Sequence, residues 1–183
     1  QFSKAMPVWL RDKLFQKKML IDFLKKHDEN FNDSKKIFFS EHHLSHAASA
    51  FYPSPFSEAV ILTIDGVGEK VTTSIAVGKD SDISIKKEIH FPHSLGLLYS
   101  SFTHFLGFKV NDGEYKVMGL APYGDPIFKD LILKELIDVK EDGSYRLNMK
   151  YFEFATGLQM VGKKFEILFN SKIRKPTEKI NKF

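Results

Sequence analysis

Two β-favouring runs joined by a short acidic, glycine-containing segment constrain this chain most. Ala59-Val60-Ile61-Leu62-Thr63-Ile64 is rich in branched apolar residues, Asp65-Gly66-Val67-Gly68-Glu69 supplies turn residues, and Thr72 to Gly78 resumes the strand pattern. Together they predict an antiparallel hairpin with a glycine loop at its tip. Ser84 to Phe91 predicts a third strand that ends at Pro92. Ser94 then stands where a capping residue is needed for a helix over Leu95 to Leu106, with Gly107 as its stop. These elements place the chain in the α/β class.

The flanking segments extend that plan. Pro7 to Lys26 carries Leu10, Leu14, Ile21 and Leu24 at helical spacing among lysines, which predicts a surface helix packed on a sheet. After a polar turn at Asn30 to Ser34, Lys36 to Ser40 reads as a short buried strand. The segment at its carboxyl end is then placed where α/β folds bind ligands. Tyr52-Pro53-Ser54-Pro55 stops the helix that follows. Downstream, a helix starting near Gly113 breaks at Pro122, a second covers Ile127 to Val139, and Tyr145 to Phe154 reads as an edge strand or hairpin.

Composition excludes several functions. With 43% hydrophobic and 14% aromatic residues, 183 residues can bury the core of one domain or a large piece of one. The absence of cysteine removes both a disulfide framework and a thiolate nucleophile, and no run of about eighteen apolar residues could cross a bilayer. A cytoplasmic enzyme or binding domain is the expectation. Lys163 to Phe183 holds seven Lys/Arg against two Glu, so the net charge of +4 belongs to this tail, expected to be a solvated helix or a frayed end. Without a stripe of interleaved aromatics it does not suit nucleic acid. The chain opens Gln1-Phe2-Ser3-Lys4 without an initiator methionine, which reads as a piece cut from something longer, with both ends artificial.

The chemistry concentrates in Glu41-His42-His43-Leu44-Ser45-His46, which holds three of the seven histidines. On a helix His42 and His46 share a face and can converge on one metal ion, while His43 points about 100° away. The same residues also suit a helix start with solvated histidines. Asp65, at the end of a buried strand, is the natural third ligand in a nitrogen and oxygen set suited to zinc or ferrous iron, although an Asp-Gly pair also serves as a plain hairpin connection. Gly66 and Gly68 let a backbone approach a phosphate or metal closely, and with Glu69 they are the candidate cofactor-binding positions. Glu114 and Lys116 lie near a helix start that favours anions. They are candidate catalytic residues, or parts of a capped helix ending in a Pro-Tyr-Gly turn. His90 and His93, either side of Pro92, read as structural. There is no Gly-x-Ser-x-Gly elbow beside Ser45, no P-loop and no Rossmann fingerprint.

Four ordered motifs, His42 to Phe51, Asp65 to Glu69, Pro92 to Tyr99 and Gly113 to Gly124, together resemble the NodU/CmcH family of O-carbamoyltransferases, in its amino-terminal catalytic domain. The resemblance implies an actin-like ATPase (RNase H-like) fold, a mixed sheet flanked by helices, of which this chain is an incomplete lobe. It implies a two-stage reaction in which carbamoyl phosphate and ATP give carbamoyl-adenylate, and the carbamoyl group then passes to a hydroxyl of a sugar or antibiotic-like acceptor. By the resemblance His42, His46 and Asp65 match three ligands of an iron or zinc ion. Glu114 and Lys116 match positions that orient the adenylate or stabilise the leaving phosphate. A further aspartate ligand and most of the nucleotide-binding lobe are expected in the remainder of the polypeptide, with the adenylate-forming domain, so the fragment alone is expected to be inactive. A tRNA threonylcarbamoyl transferase and a non-catalytic nucleotide-binding module of the same fold are the alternatives.

Overall fold

The computed structural model describes residues 6–7, 9–28, 30–31 and 34–180, which fall into two units, Gln1–Glu41 and His42–Phe183. In the first unit a π-turn over Trp9–Lys13, closed by the Leu14 N–H on the Trp9 carbonyl, precedes helix α1, Gln16–His27. The single helix expected from Pro7 to Lys26 is thus interrupted at Leu14 and Phe15, because the wider turn takes an extra residue out of the α register. None of the described residues of α1 is buried, so the packed face expected of it is not formed among them. The strand expected at Lys36 to Ser40 is likewise replaced. Ser34–Lys36 form a 3₁₀ turn, residues 37–40 join no ladder, and Phe38 and Phe39 are 87% and 61% exposed. β-favouring side chains make a strand only against a partner, and none pairs with them among the described residues.

In the second unit β1 (Glu58–Gly68), β2 (Val71–Lys79) and β3 (Asp82–His90) form an antiparallel sheet in the order β1-β2-β3. The hairpin is tighter than expected. β1 stays in the sheet until Gly68 pairs with Val71, the residues between Ile64 and Gly68 are taken up as a bulge, and only Glu69 and Lys70 turn the chain. Helix α2, His42–Phe51, lies on one face of this sheet. Its residues His43, Ala47 and Phe51 form one stripe, spaced by four. Ala47 and Phe51 pack with Ile61 and Ala76, and His43 Nδ1 is 2.8 Å from Ser74 Oγ in β2. Gly78 makes room for the Phe51 ring, whose carbons would lie 2.7 Å from a Cβ there.

A second core forms beyond the sheet. Helix α3, Leu95–Phe105, begins on Ser94, whose Oγ accepts the Leu97 N–H, and Gly107 follows it at φ 75°. Helix α4, Glu114–Leu120, runs into a 3₁₀ turn over Ala121–Tyr123 that contains Pro122. The helix expected over Ile127 to Val139 is only α5, Lys129–Glu135. Ile137–Val139 is instead strand β4, antiparallel to β5, Tyr145–Leu147. The rest of the stretch to Phe154 is a 3₁₀ turn and a bridge from Phe152 to Val161. In helix α6, Lys163–Leu168, and Phe169 after it, the start of the segment read as a solvated or frayed tail is instead packed into the core, while residues 175–180 are exposed and residues 181–183 lie outside the described residues. Phe165 and Phe169 are buried with Phe105, Leu136, Ile137, Tyr145 and Val161, so the basic count conceals two core aromatics one turn apart. The mixed sheet is also corrected: every strand pairing among the described residues is antiparallel. β1 is an edge strand, and its face opposite Ile61 and Thr63 shows Val60, Leu62 and Ile64 at 74%, 59% and 50% exposure.

Two histidines tie this core to pH. His93 Nδ1 accepts the Leu147 N–H at 3.2 Å, and burial, with Arg146 nearby, holds its pKa below the ordinary value. Burial does the same at His104, against a smaller opposing pull from Glu153, and its Nε2 is enclosed without a partner among the described residues. Both rings must be neutral in the fold, whereas the unfolded chain binds protons from about pH 6.5 downward. Their contribution is therefore complete above that pH and is lost as pH falls through the depressed folded values. The urea midpoint is expected to drop between about pH 7 and pH 5, and the double variant His93→Gln/His104→Gln should flatten that slope. An unchanged slope in the double variant would assign the effect to other groups.

Candidate metal centre

The stripe of α2 that faces the sheet decides where its other histidines point. With His43 turned inward and only 3% exposed, His42 and His46 lie on the neighbouring stripe, at the end of the helix nearest the β1 bulge. The bulge carries Asp65 out of the pleat to meet them. Asp65 Oδ2 is 2.6 Å from His42 Nε2 and 3.6 Å from His46 Nε2, and the two Nε2 atoms are 3.0 Å apart. No other described residue joins the group, which is partly open to solvent.

Proton counting shows what such a triangle suits. If the Nε2–H of His42 is donated to Asp65, His46 has no lone pair of His42 to use; if His46 donates to His42, the proton on the shortest contact is missing. Two imidazole lone pairs and a carboxylate oxygen aimed at one point are satisfied together by one cation. The three atoms lie 2.6 to 3.6 Å apart, close enough for all three side chains to hold one ion. The donor set matches zinc or ferrous iron. Burial pushes the Asp65 pKa up, but the His42 hydrogen bond, the Gly66 N–H at 2.6 Å and the charges of His42 and His46 outweigh it. The carboxyl is held below its usual range.

The loop is braced from behind. Ser94 Oγ lies 3.0 Å from the Asp65 carbonyl and 2.7 Å from that of Gly66 while it caps α3. A Cβ on Gly96, in the first turn of α3, would lie 2.6 Å from the Asp65 carbonyl oxygen and 2.7 Å from Gly66 N, so helix and loop touch backbone to backbone. Sequence reasoning found Ser94 as a cap but missed this second role, and missed Gly96 altogether. A glycine inside a helical pattern was the available signal. Of the other expected positions, Gly68 lies beneath the His42 ring, Gly66 has open space around it, and Glu69 sits exposed in the turn at φ 50°.

Glu114 and Lys116 occupy the first turn of α4 outside the triangle. Glu114 Oε1 accepts from Asn111 N at 3.1 Å and Ser100 Oγ at 2.9 Å, tying the left-handed Asn111 and α4 to α3. Burial raises the Glu114 pKa, and these bonds outweigh it and lower it. Lys116 is exposed, with Nζ 5.8 Å from the Tyr115 ring centre. The described contacts of His90 are structural: its Nε2 pairs with Glu88 at 2.8 Å.

The brace makes a prediction whose sign runs against helix propensity. Alanine normally stabilises a helix by about 1 kcal/mol over glycine. Gly96→Ala should instead cost about 1–3 kcal/mol, because the methyl group meets backbone that can yield only by moving the Asp65 loop. Chemical denaturation of the variant checks this, and a stability gain would show that the brace is not tight.

The sequence model described as carbamoyltransferase N-terminus matches residues 1–182. The chain is 56% identical over 176 residues to an uncharacterized protein, sll1178, of Synechocystis sp., covering 96% of this chain and 29% of that protein. It is 43% identical over 115 residues to the nodulation protein NolNO of Sinorhizobium fredii, covering 63% of this chain and 17% of the relative. It is 40% identical over 110 residues to the nodulation protein NolO of Bradyrhizobium diazoefficiens, covering 59% and 20%. The chain thus spans less than a third of the length of these relatives. It belongs to the carbamoyltransferase amino-terminal family.

Proposed function

We propose that this chain is the metal-bearing part of an O-carbamoyltransferase. In this reading the whole enzyme moves a carbamoyl group from carbamoyl phosphate, through carbamoyl-adenylate, to a hydroxyl of a sugar or antibiotic-like acceptor. The observation that carries the reading is the triangle of His42, His46 and Asp65 in a chain of this family. The three side chains would hold an iron or zinc ion, with an aspartate from the remainder of the polypeptide as a further ligand. When bound, the ion supplies Lewis-acid stabilisation of negative charge on the carbamoyl or phosphate oxygen.

In the transfer step the acceptor hydroxyl oxygen bonds to the carbamoyl carbon, the bond from that carbon to the adenylate oxygen breaks, AMP departs, and the hydroxyl proton is released to solvent. The exposed ammonium of Lys116 is the candidate for balancing charge on the leaving phosphate. Glu114 is a positioning residue in this scheme, since its carboxylate is engaged by Asn111 and Ser100 and holds α4, hence Lys116, against α3. The open space at Gly66, beside Asp65 and the exposed Glu69, suits close approach of a phosphate-bearing ligand.

The proposal extends to architecture and partners. An actin-like ATPase (RNase H-like) fold would add strands to the free edge of β1 and cover Val60, Leu62 and Ile64, and the remainder of the same polypeptide, including the adenylate-forming domain, is the proposed occupant. A cytoplasmic location goes with these substrates. No helix among the described residues is long and apolar enough to cross a membrane. The threonylcarbamoyl alternative would need a surface for tRNA, and the basic segment 163–180 turns aromatics into the core rather than toward a nucleic acid. A regulatory module of the same fold would bind nucleotide without transfer.

Two measurements test the proposal. Full-length protein is expected to release pyrophosphate from ATP only when carbamoyl phosphate is present. Release indifferent to carbamoyl phosphate, in folded and metal-loaded protein, would turn the reading toward the alternatives. Elemental analysis of the His46→Ala variant should show most of the bound metal gone, with transfer falling in parallel. Full occupancy there would refute the ligand assignment.

A further inference from the structure

We infer that Gly68 is a positioning residue for His42, and that its missing side chain is required by the metal centre rather than by the hairpin. This rests on the metal reading above and goes beyond the use of glycine for ligand approach. A Cβ at position 68 would lie 2.8 Å from Cγ and 2.9 Å from Nε2 of His42, and closer still to Cδ2. The imidazole therefore lies flat on the backbone where β1 turns into β2. Its free end meets Asp65 and His46, so the ring is held from its flank and from its tip.

The backbone supplies no competing reason for glycine here. Left-handed φ values among the described glycines occur at Gly107 and Gly143, not at Gly68, and Gly68 pairs with Val71 where the ladder resumes past the bulge. A methyl group would be compatible with the strand. What yields is the imidazole, a movable side chain. To restore ordinary contact it must shift by about 1 Å, beyond the roughly 0.5 Å that a ligand position tolerates.

The experiment is a zinc titration, repeated with cobalt(II), of full-length wild-type, Gly68→Ala, His42→Ala and Gly68→Ala/His42→Ala proteins, with thermal melting of each metal-free form. Gly68→Ala is expected to weaken binding by about 10- to 100-fold, the range for residues that orient metal ligands. Any melting penalty of Gly68→Ala should vanish in the His42→Ala background, because the clash partner is gone. Wild-type affinity in Gly68→Ala, beside a wild type that binds metal, overturns this inference and leaves the metal reading standing. A penalty that persists without His42 also overturns it, by placing the strain in the backbone. A wild type that binds neither metal overturns the metal reading itself.

Discussion

The seating of α2 on β2 is the constraint from which the rest of the centre follows. It is fixed at two ends of one stripe, by the His43 to Ser74 hydrogen bond and by the Phe51 ring over Gly78. Successive helical residues differ by about 100°, so a helix rolled by one position would turn both His42 and His46, which share a stripe, away from Asp65. Burial holds the His43 pKa down, partly offset by Asp65, which suits an inner histidine bonded to Ser74, while its sequence neighbour His42 faces Asp65. One side chain thus prevents the roll that would dismantle the triangle.

The carboxylate is placed by an independent device. A strand that simply turned at Ile64 would leave Asp65 at a mobile tip, whereas the bulge keeps β1 in the sheet for several more residues and aims Asp65 sideways. Ser94 and Gly96 then hold the bulge from the other side, so the ligand loop is trapped between α3 and the rings on α2. Each structural glycine answers to a particular neighbour: Gly78 to Phe51, Gly68 to His42, and Gly96 to the backbone of Asp65.

This separation explains what was legible in the sequence. The hairpin strands, the helix capped by Ser94 and the pairing of His42 with His46 depend on local spacing, and spacing is written in the chain. The triangle follows once the strand and the helix are known, because their ends are adjacent. Lys36 to Ser40 and Ile127 to Val139 were misread because apolar runs of that length suit either class, and their state depends on whether a partner lies beside them. The burial of Phe165 was hidden by the lysines around it, and the roles of Gly68 and Gly96 depend on contacts with residues 26 and 31 positions away. Such contacts leave no periodic trace.

The electrostatics of the triangle connect the scaffold to its chemistry. Asp65 is ionised well into the acid range because hydrogen bonds to its charged form outweigh its burial, so near neutral pH the loop presents a fixed negative charge to two imidazoles. A proton can satisfy only part of that arrangement, since each imidazole nitrogen is either a donor or an acceptor. A metal ion accepts all three electron pairs at once. The scaffold supplies three donors on one side and leaves the other side to solvent or further ligands, which distinguishes an open centre from a closed structural one. On the proposed metal reading rigidity matters more than affinity of any single ligand: the bulge, the brace and the seat of α2 hold the three donors close together in the protein alone, so little ordering would remain to offset binding of an ion.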